Sequence, residues 1–240
     1  MLVEVCANSL ESALIAQKAG ADRIELCSEL GVGGITPSHG LIAEVLQRLS
    51  IPVHVLIRPR SGHFCYSDFE MAVMQKDIEF CKKVGVKGIV AGVLNKDFTV
   101  NIQKTSKLIN NSRPMKFTFH RAFDWVPNAL IALQQLETMA VDYLLTSGQE
   151  STAENGLELL KALHDHAKDL KIMPGSGINT KNAVKFKALG LTVLHTSGTL
   201  FENELDLQCK LPMNSELHLA ENMVAVTNAP IIRQIVKTVK

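Results

Sequence analysis

Glu4 and Cys6, Glu25 and Cys27, and Thr118 and His120 each stand two residues apart, with Val5, Leu26 and Phe119 between them. That spacing puts both members of a pair on one face of a β-strand. His54 and Arg58 share a face of a fourth run, with Val55 and Ile57 on the other side. Carboxyls beside imidazoles are the equipment of general acid–base chemistry. An arginine suits a carboxylate or phosphate. Two thiols on neighbouring strands, about 4.8 Å apart, suit a soft ion such as Cu(I). Each group also has a plainer use. Buried cysteines commonly serve as small hydrophobes, and Arg23 and Arg58 could neutralise Glu4 and Glu25 in a structural ion network.

Two glycine-containing turns extend the chemistry. Pro174 to Gly177 reads Pro-Gly-Ser-Gly, and Thr196 to Thr199 reads Thr-Ser-Gly-Thr. Such turns bring backbone N–H groups close to an anion, or simply close tight connections. Taken as an anion site, they assign Gly175, Ser176, Gly177, Ser197 and Gly198, together with Arg58, to a small phosphorylated or carboxylated metabolite. Glu25 or Glu4 is then the general base and His120 the acid or electrophile. Two carboxyls beside an arginine can have their pKa values driven apart. Isomerisation, aldol-type cleavage or hydrolysis would follow. No lysine falls at an inward strand end, which argues against a Schiff base.

These side chains need elements to hold them. Strand-like runs at Val3–Cys6, Arg23–Cys27, Pro52–Arg58, Gly88–Gly92, Lys116–His120, Asp142–Thr146, Lys171–Pro174 and Leu191–His195 alternate with helix-like runs. Strands alternating with helices argue for a parallel sheet. Eight such units in 240 residues point to one α/β domain, a (β/α)₈ barrel of the TIM type, which takes roughly 250 residues. The entries to even-numbered strands echo one another: Lys-Ala-Gly-Ala-Asp-Arg-Ile precedes the second strand, and Lys-Val-Gly-Val-Lys-Gly-Ile the fourth. The stretch from about 202 to 229 is polar and without clear period, and reads as an insertion or an oligomer contact. Pro230 then opens a last amphipathic helix.

Alternation also sorts the faces. Glu4, Cys6, Arg23, Glu25, Cys27, His54, Leu56, Arg58, Thr118 and His120 face the barrel interior, as do Leu144 and Thr146 on the sixth strand. A barrel interior is ordinarily filled with Val, Ile and Leu, so this polar set marks the C-terminal mouth as the place of function.

The chain is 46% hydrophobic with a net charge of +1, which gives no bias toward nucleic acid. No run of eighteen apolar residues suggests a membrane span. Five cysteines without close pairs fit a reducing cytoplasm rather than a disulfide framework. Cys81 and Cys209 read as structural.

The motifs also occur together in a known order. Glu-Val-Cys-Ala-Asn-Ser (4–9), Arg-Ile-Glu-Leu-Cys-Ser (23–28), Gly-Gly-Ile-Thr-Pro-Ser (33–38) and Ile-Arg-Pro-Arg-Ser-Gly (57–62) come first. Phe-Cys-Tyr-Ser-Asp (64–68), Thr-Phe-His-Arg-Ala-Phe-Asp (118–124), Leu-Thr-Ser-Gly (145–148) and Met-Pro-Gly-Ser-Gly (173–177) follow. Over residues 1 to about 200 this resembles the CutC family, named for copper homeostasis. The resemblance implies a cytoplasmic TIM barrel that forms a homo-oligomer, a dimer or tetramer, and binds Cu(I) through Cys6 and Cys27. At the eighth strand the sequence reads His195-Thr196-Ser197-Gly198, a mild departure from the family pattern.

Overall fold

The computed structural model describes residues 1–203 and 223–240. Its strands are β1 (Leu2–Ala7), β2 (Arg23–Leu26), β3 (Val53–Leu56), β4 (Gly88–Ala91), β5 (Lys116–Phe119), β6 (Tyr143–Thr146), β7 (Lys171–Pro174) and β8 (Val193–Thr196). They alternate with α1 (Leu10–Lys18), α2 (His39–Arg48), α3 (Asp68–Val84), α4 (Ile102–Ser112), α5 (Ala129–Thr138), α6 (Leu157–His166) and α7 (Ala183–Ala188). All ladder pairings among the eight strands are parallel, in the order β7-β6-β5-β4-β3-β2-β1-β8. β7 lies against β8, so the ring is a nearly closed barrel.

Local chemistry sets the helix starts. Ser9 and Ser38 accept from the N–H groups of Ser12 and Leu41, at 3.0 and 3.1 Å. Ser67 and Glu70 form a reciprocal capping box at the head of α3, which satisfies two amides that the helix itself cannot. Asn101, Asn128 and Asn228 cap α4, α5 and the final helix α8 (Ala229–Val239).

Packing divides the hydrophobic residues in two. The large cluster lies between strands and helices and includes Val5, Ile24, Val55, Phe117 and Leu144. Inside the barrel are two small clusters: Cys6, Cys27, Leu56 and Val90, and Leu145, Met173 and Val193. The interior space between them is polar. β4 and the residue that follows it present glycine where two imidazoles need room. A Cβ on Gly88 would meet the His54 ring at 2.5 Å, and one on Gly92 would meet His120 Nδ1 at 2.7 Å.

Two expectations change. On β6 the inward residues are Tyr143 and Leu145, not Leu144 and Thr146. Alternation cannot choose a face in a run as uniformly apolar as Tyr-Leu-Leu. The register decides it, since Tyr143 pairs with the inward Thr118. The polar stretch before the last helix is also not wholly irregular: β9 (Thr199–Asn203) and β10 (Met223–Thr227) pair antiparallel. The β-branched residues of Met223–Thr227 favour that state. The remainder of that stretch, with Cys209, lies outside the described residues.

Candidate functional site

The floor of the site is an ion network. Glu4 on β1 is fully buried. It accepts from Arg23 Nε at 2.5 Å and pairs with His195 Nδ1 at 2.8 Å. Burial alone would push its carboxyl up. Arg23, His195 and His54 outweigh that and hold it at about 2. The Arg23 guanidinium lies 4.3 Å from the Tyr143 ring centroid, enclosed by protein. His54 stands 3.9 Å from Glu4. Burial, reinforced by the Arg23 charge, pushes it down to about 4, so it is neutral near pH 7.

Glu25 behaves oppositely. Burial drives its carboxyl up to about 7, with His195 opposing and Glu4 adding to the rise. Its Oε2 is 3.7 Å from His195 Nδ1, and its Oε1 is 4.0 Å from Cys6 Sγ. His195 is itself raised: burial lowers it, but the charges of Glu25 and Glu4 and the bond to Glu4 outweigh burial. The sulfurs of Cys6 and Cys27 are 3.5 Å apart and unbridged. The contact with Cys27, then burial, then the two carboxyls push the Cys6 thiol well above its ordinary range. Cys6, Glu25 and His195 bring one ligand atom each within 4.8 Å of one another.

These three residues line a cavity of about 470 Å³ at the C-terminal end of the strands, the end where barrels of this class carry their chemistry. Phe64 and Trp125 form an aromatic wall, with ring centroids 4.9 Å apart. Arg121, Ser176, Gly177 and Ser197 stand around the rim. His120 also lines the cavity. Its Nδ1 accepts from the Ala122 N–H at 3.2 Å, which assigns the ring proton to Nε2. That Nε2 is buried and has no partner among the described residues. Burial first, and the Arg58 charge second, push His120 down to about 3.

Arg58 reaches the cavity, but its guanidinium is engaged. Nη1 donates to the carbonyls of Val32 and Gly34 at 2.8 and 2.7 Å, and Nη2 donates to Gly62 at 2.8 Å. It ties the β2–α2 and β3–α3 loops together. Of the glycine turns, Ser176, Gly177 and Ser197 line the cavity while Gly175 and Gly198 do not. The Gly175 N–H donates to the Thr146 carbonyl at 3.0 Å, and Gly198 packs closely on Ile232 of α8. Thr146 donates to Asp124 at 2.5 Å. Asp124 also takes Arg121 Nε at 2.7 Å, fixing the cation at the rim.

His195, Arg121 and Trp125 are among the cavity residues that the strand pattern did not single out. For His195 the signal exists, because Leu194 packs outward and its neighbour must face in. Arg121 and Trp125 belong to a 3₁₀ turn, Arg121–Trp125, where no strand parity applies.

A model of the CutC family matches residues 1–200. An Edwardsiella ictaluri relative described as "family protein CutC" is 46% identical over 197 residues, 82% of this chain and 78% of its own length. The human "Copper homeostasis protein cutC homolog" is 41% identical over 241 residues, covering 97% of this chain and 86% of its own. The crystal structure of a Streptococcus agalactiae protein named for CutC superposes with a TM-score of 0.79 at 30% identity, over 82% of this chain and 98% of that one. Thiamine phosphate pyrophosphorylase from Pyrococcus furiosus, at 14% identity and a TM-score of 0.61 over 99% of this chain and 94% of its own, shares the fold.

Proposed function

The chain belongs to the CutC family, and from that premise we propose that it serves copper homeostasis by binding Cu(I) at the barrel mouth through Cys6 and Cys27. One observation carries this reading: two buried, unbridged sulfurs 3.5 Å apart on neighbouring strands. Soft thiolates select Cu(I). The Cys6 thiol is held protonated by its surroundings, so copper must displace protons to bind. Arg23, paired with Glu4 beneath the mouth, supplies positive charge near the anionic complex. The reading places the protein in the cytoplasm, where thiols stay reduced, and in a homo-oligomer, a dimer or tetramer. X-ray absorption of the protein loaded with one equivalent of Cu(I) tests it. Two sulfur neighbours at copper support the assignment. A shell of nitrogen and oxygen alone overturns it.

A specific observation also favours a second reading. His120 Nε2 and Glu25 Oε2 are buried without partners among the described residues, and both residues border the cavity. In this reading the barrel is an isomerase, lyase or hydrolase for a small phosphorylated or carboxylated metabolite. Arg121 with Ser176, Gly177 and Ser197 holds the anion. His120 Nε2–H polarises a carbonyl, and Glu25 carries the proton. Arg58 supports the loops, and Glu4 positions His195. Inorganic phosphate should then raise the melting temperature of the wild type and not of Arg121→Ala. Equal response of the two proteins counts against the reading.

A further inference from the structure

We propose that Cys6, Glu25 and His195 form a second kind of metal site, for a borderline divalent ion of the zinc class, with one coordination position open to the cavity. It stands on Glu25 and His195, which a two-sulfur Cu(I) site does not need.

The donors are already gathered. Cys6 Sγ and Glu25 Oε1 are 4.0 Å apart, and His195 Nδ1 and Glu25 Oε2 are 3.7 Å apart. One atom from each of the three residues falls inside a 4.8 Å limit. Tetrahedral coordination with bonds of about 2.0–2.3 Å puts ligands about 3.3–3.8 Å from one another. A contraction of about 1 Å or less on the bound ion completes the set. Thiolate, carboxylate and imidazole together are the ligand types of zinc sites, and three protein ligands with an open fourth position are the catalytic pattern rather than the structural one.

The placement of Cys27 separates this site from the copper pair. Cys6, Glu25 and His195 all line the cavity, and Cys27 does not; it lies fully buried behind them. A divalent ion held by the three would therefore face the open volume, with His120 also on the cavity wall. The surrounding shell fits as well. His195 Nδ1 is paired with Glu4 at 2.8 Å, and Arg23 holds Glu4 in turn. Nδ1 is also the nitrogen nearest Glu25, so on ligating the ion it gives up its proton and its bond to Glu4, which then stands beside the site as an outer carboxylate. Glu25 Oε2, buried and unpartnered among the described residues, gains a partner. In this state Glu25 is a ligand and does not carry a substrate proton.

The probe is Co²⁺, titrated anaerobically into the reduced full-length protein, with Zn²⁺ as competitor. The expected result is visible bands of tetrahedral cobalt with a near-ultraviolet thiolate-to-cobalt band, both removed by Zn²⁺. Cys6→Ser should abolish the thiolate band. Glu25→Gln should weaken binding beyond the roughly 10–100-fold that loss of an outer-shell partner causes. Cys27→Ser should leave the spectrum and affinity near wild type, although the copper pair loses a ligand. Circular dichroism checks that each variant is folded. Wild-type protein that binds Co²⁺ without a thiolate band, or does not bind it, overturns the proposal. So does equal loss in Cys27→Ser and Cys6→Ser, which would mean a dithiolate site.

Discussion

Glu4 and Glu25 are the same side chain on adjacent strands, and their surroundings drive them apart. Glu4 is fully enclosed against Arg23 and ionised. Glu25, without that partner, titrates at about 7. Replacing Glu4 by Gln leaves a buried guanidinium uncompensated, which should destabilise the fold by about 3–5 kcal/mol in urea denaturation. A change below about 1 kcal/mol would show that Arg23 finds another partner. The imidazoles give a pH dependence. His54 and His120 titrate at about 4 and about 3 in the fold, below the ordinary 6.5, so the unfolded chain takes protons first. Their contribution to stability is present above pH 6.5 and lost as pH falls toward 4 and 3. At pH 5 each costs about 2 kcal/mol relative to pH 7. His54→Gln should recover one such share; an unchanged difference between pH 7 and pH 5 would contradict the assignment. Alternation showed that Glu4, Cys6, Glu25, Cys27 and His120 face inward. It says nothing of depth, and so could not show that Arg23 claims Glu4 and leaves Glu25 to the cavity.

Elements decide which of these side chains can act together. Eight short strands end near one level, and the turns that leave them supply the rim. The caps at Ser9, Ser38, Ser67 and Asn128 have a local cause, a side-chain oxygen placed just before the helix. Ser67→Ala should cost about 1 kcal/mol, measurable by chemical denaturation, with Cu(I) affinity unchanged because the Ser67 hydroxyl bonds the Glu70 N–H of its own helix and neither Cys6 nor Cys27. Loop tying was not readable. Arg58 looks from its strand position like an anion ligand, yet its hydrogen bonds go to three loop carbonyls, two of them, Val32 and Gly34, distant in sequence. Arg58→Met should therefore free the loops around Val32 and Gly62, seen as faster limited proteolysis there. Cleavage at the wild-type rate would mean that the loops hold without it. The β6 inversion has a similar origin, since only pairing with β5 distinguishes Leu144 from Leu145.

At the scale of the molecule, a parallel barrel explains why so polar an interior is tolerated. Helices cover the outside, the strand ladders satisfy the backbone, and the charged side chains neutralise one another beneath the mouth. The period of the chain revealed that architecture because eight strand–helix units each repeat the same burial problem. The β9–β10 pair has no place in that repeat and was not foreseen. Among the described residues no helix is long and apolar enough to cross a membrane. Phe69 and Val73 on α3 are 87% and 51% exposed, and sedimentation of the intact protein should find a dimer or tetramer; a monomer at micromolar concentration would contradict the homo-oligomer. The proposed role as a whole depends on the sulfur pair. The decisive measurement is Cu(I) affinity of the reduced protein against a competing chelator, with wild type beside Cys6→Ser, Cys27→Ser and the double variant. Tight wild-type binding that either single substitution removes is the expected result. Weak wild-type binding, or affinity unchanged in the double variant, would detach copper from this barrel's mouth.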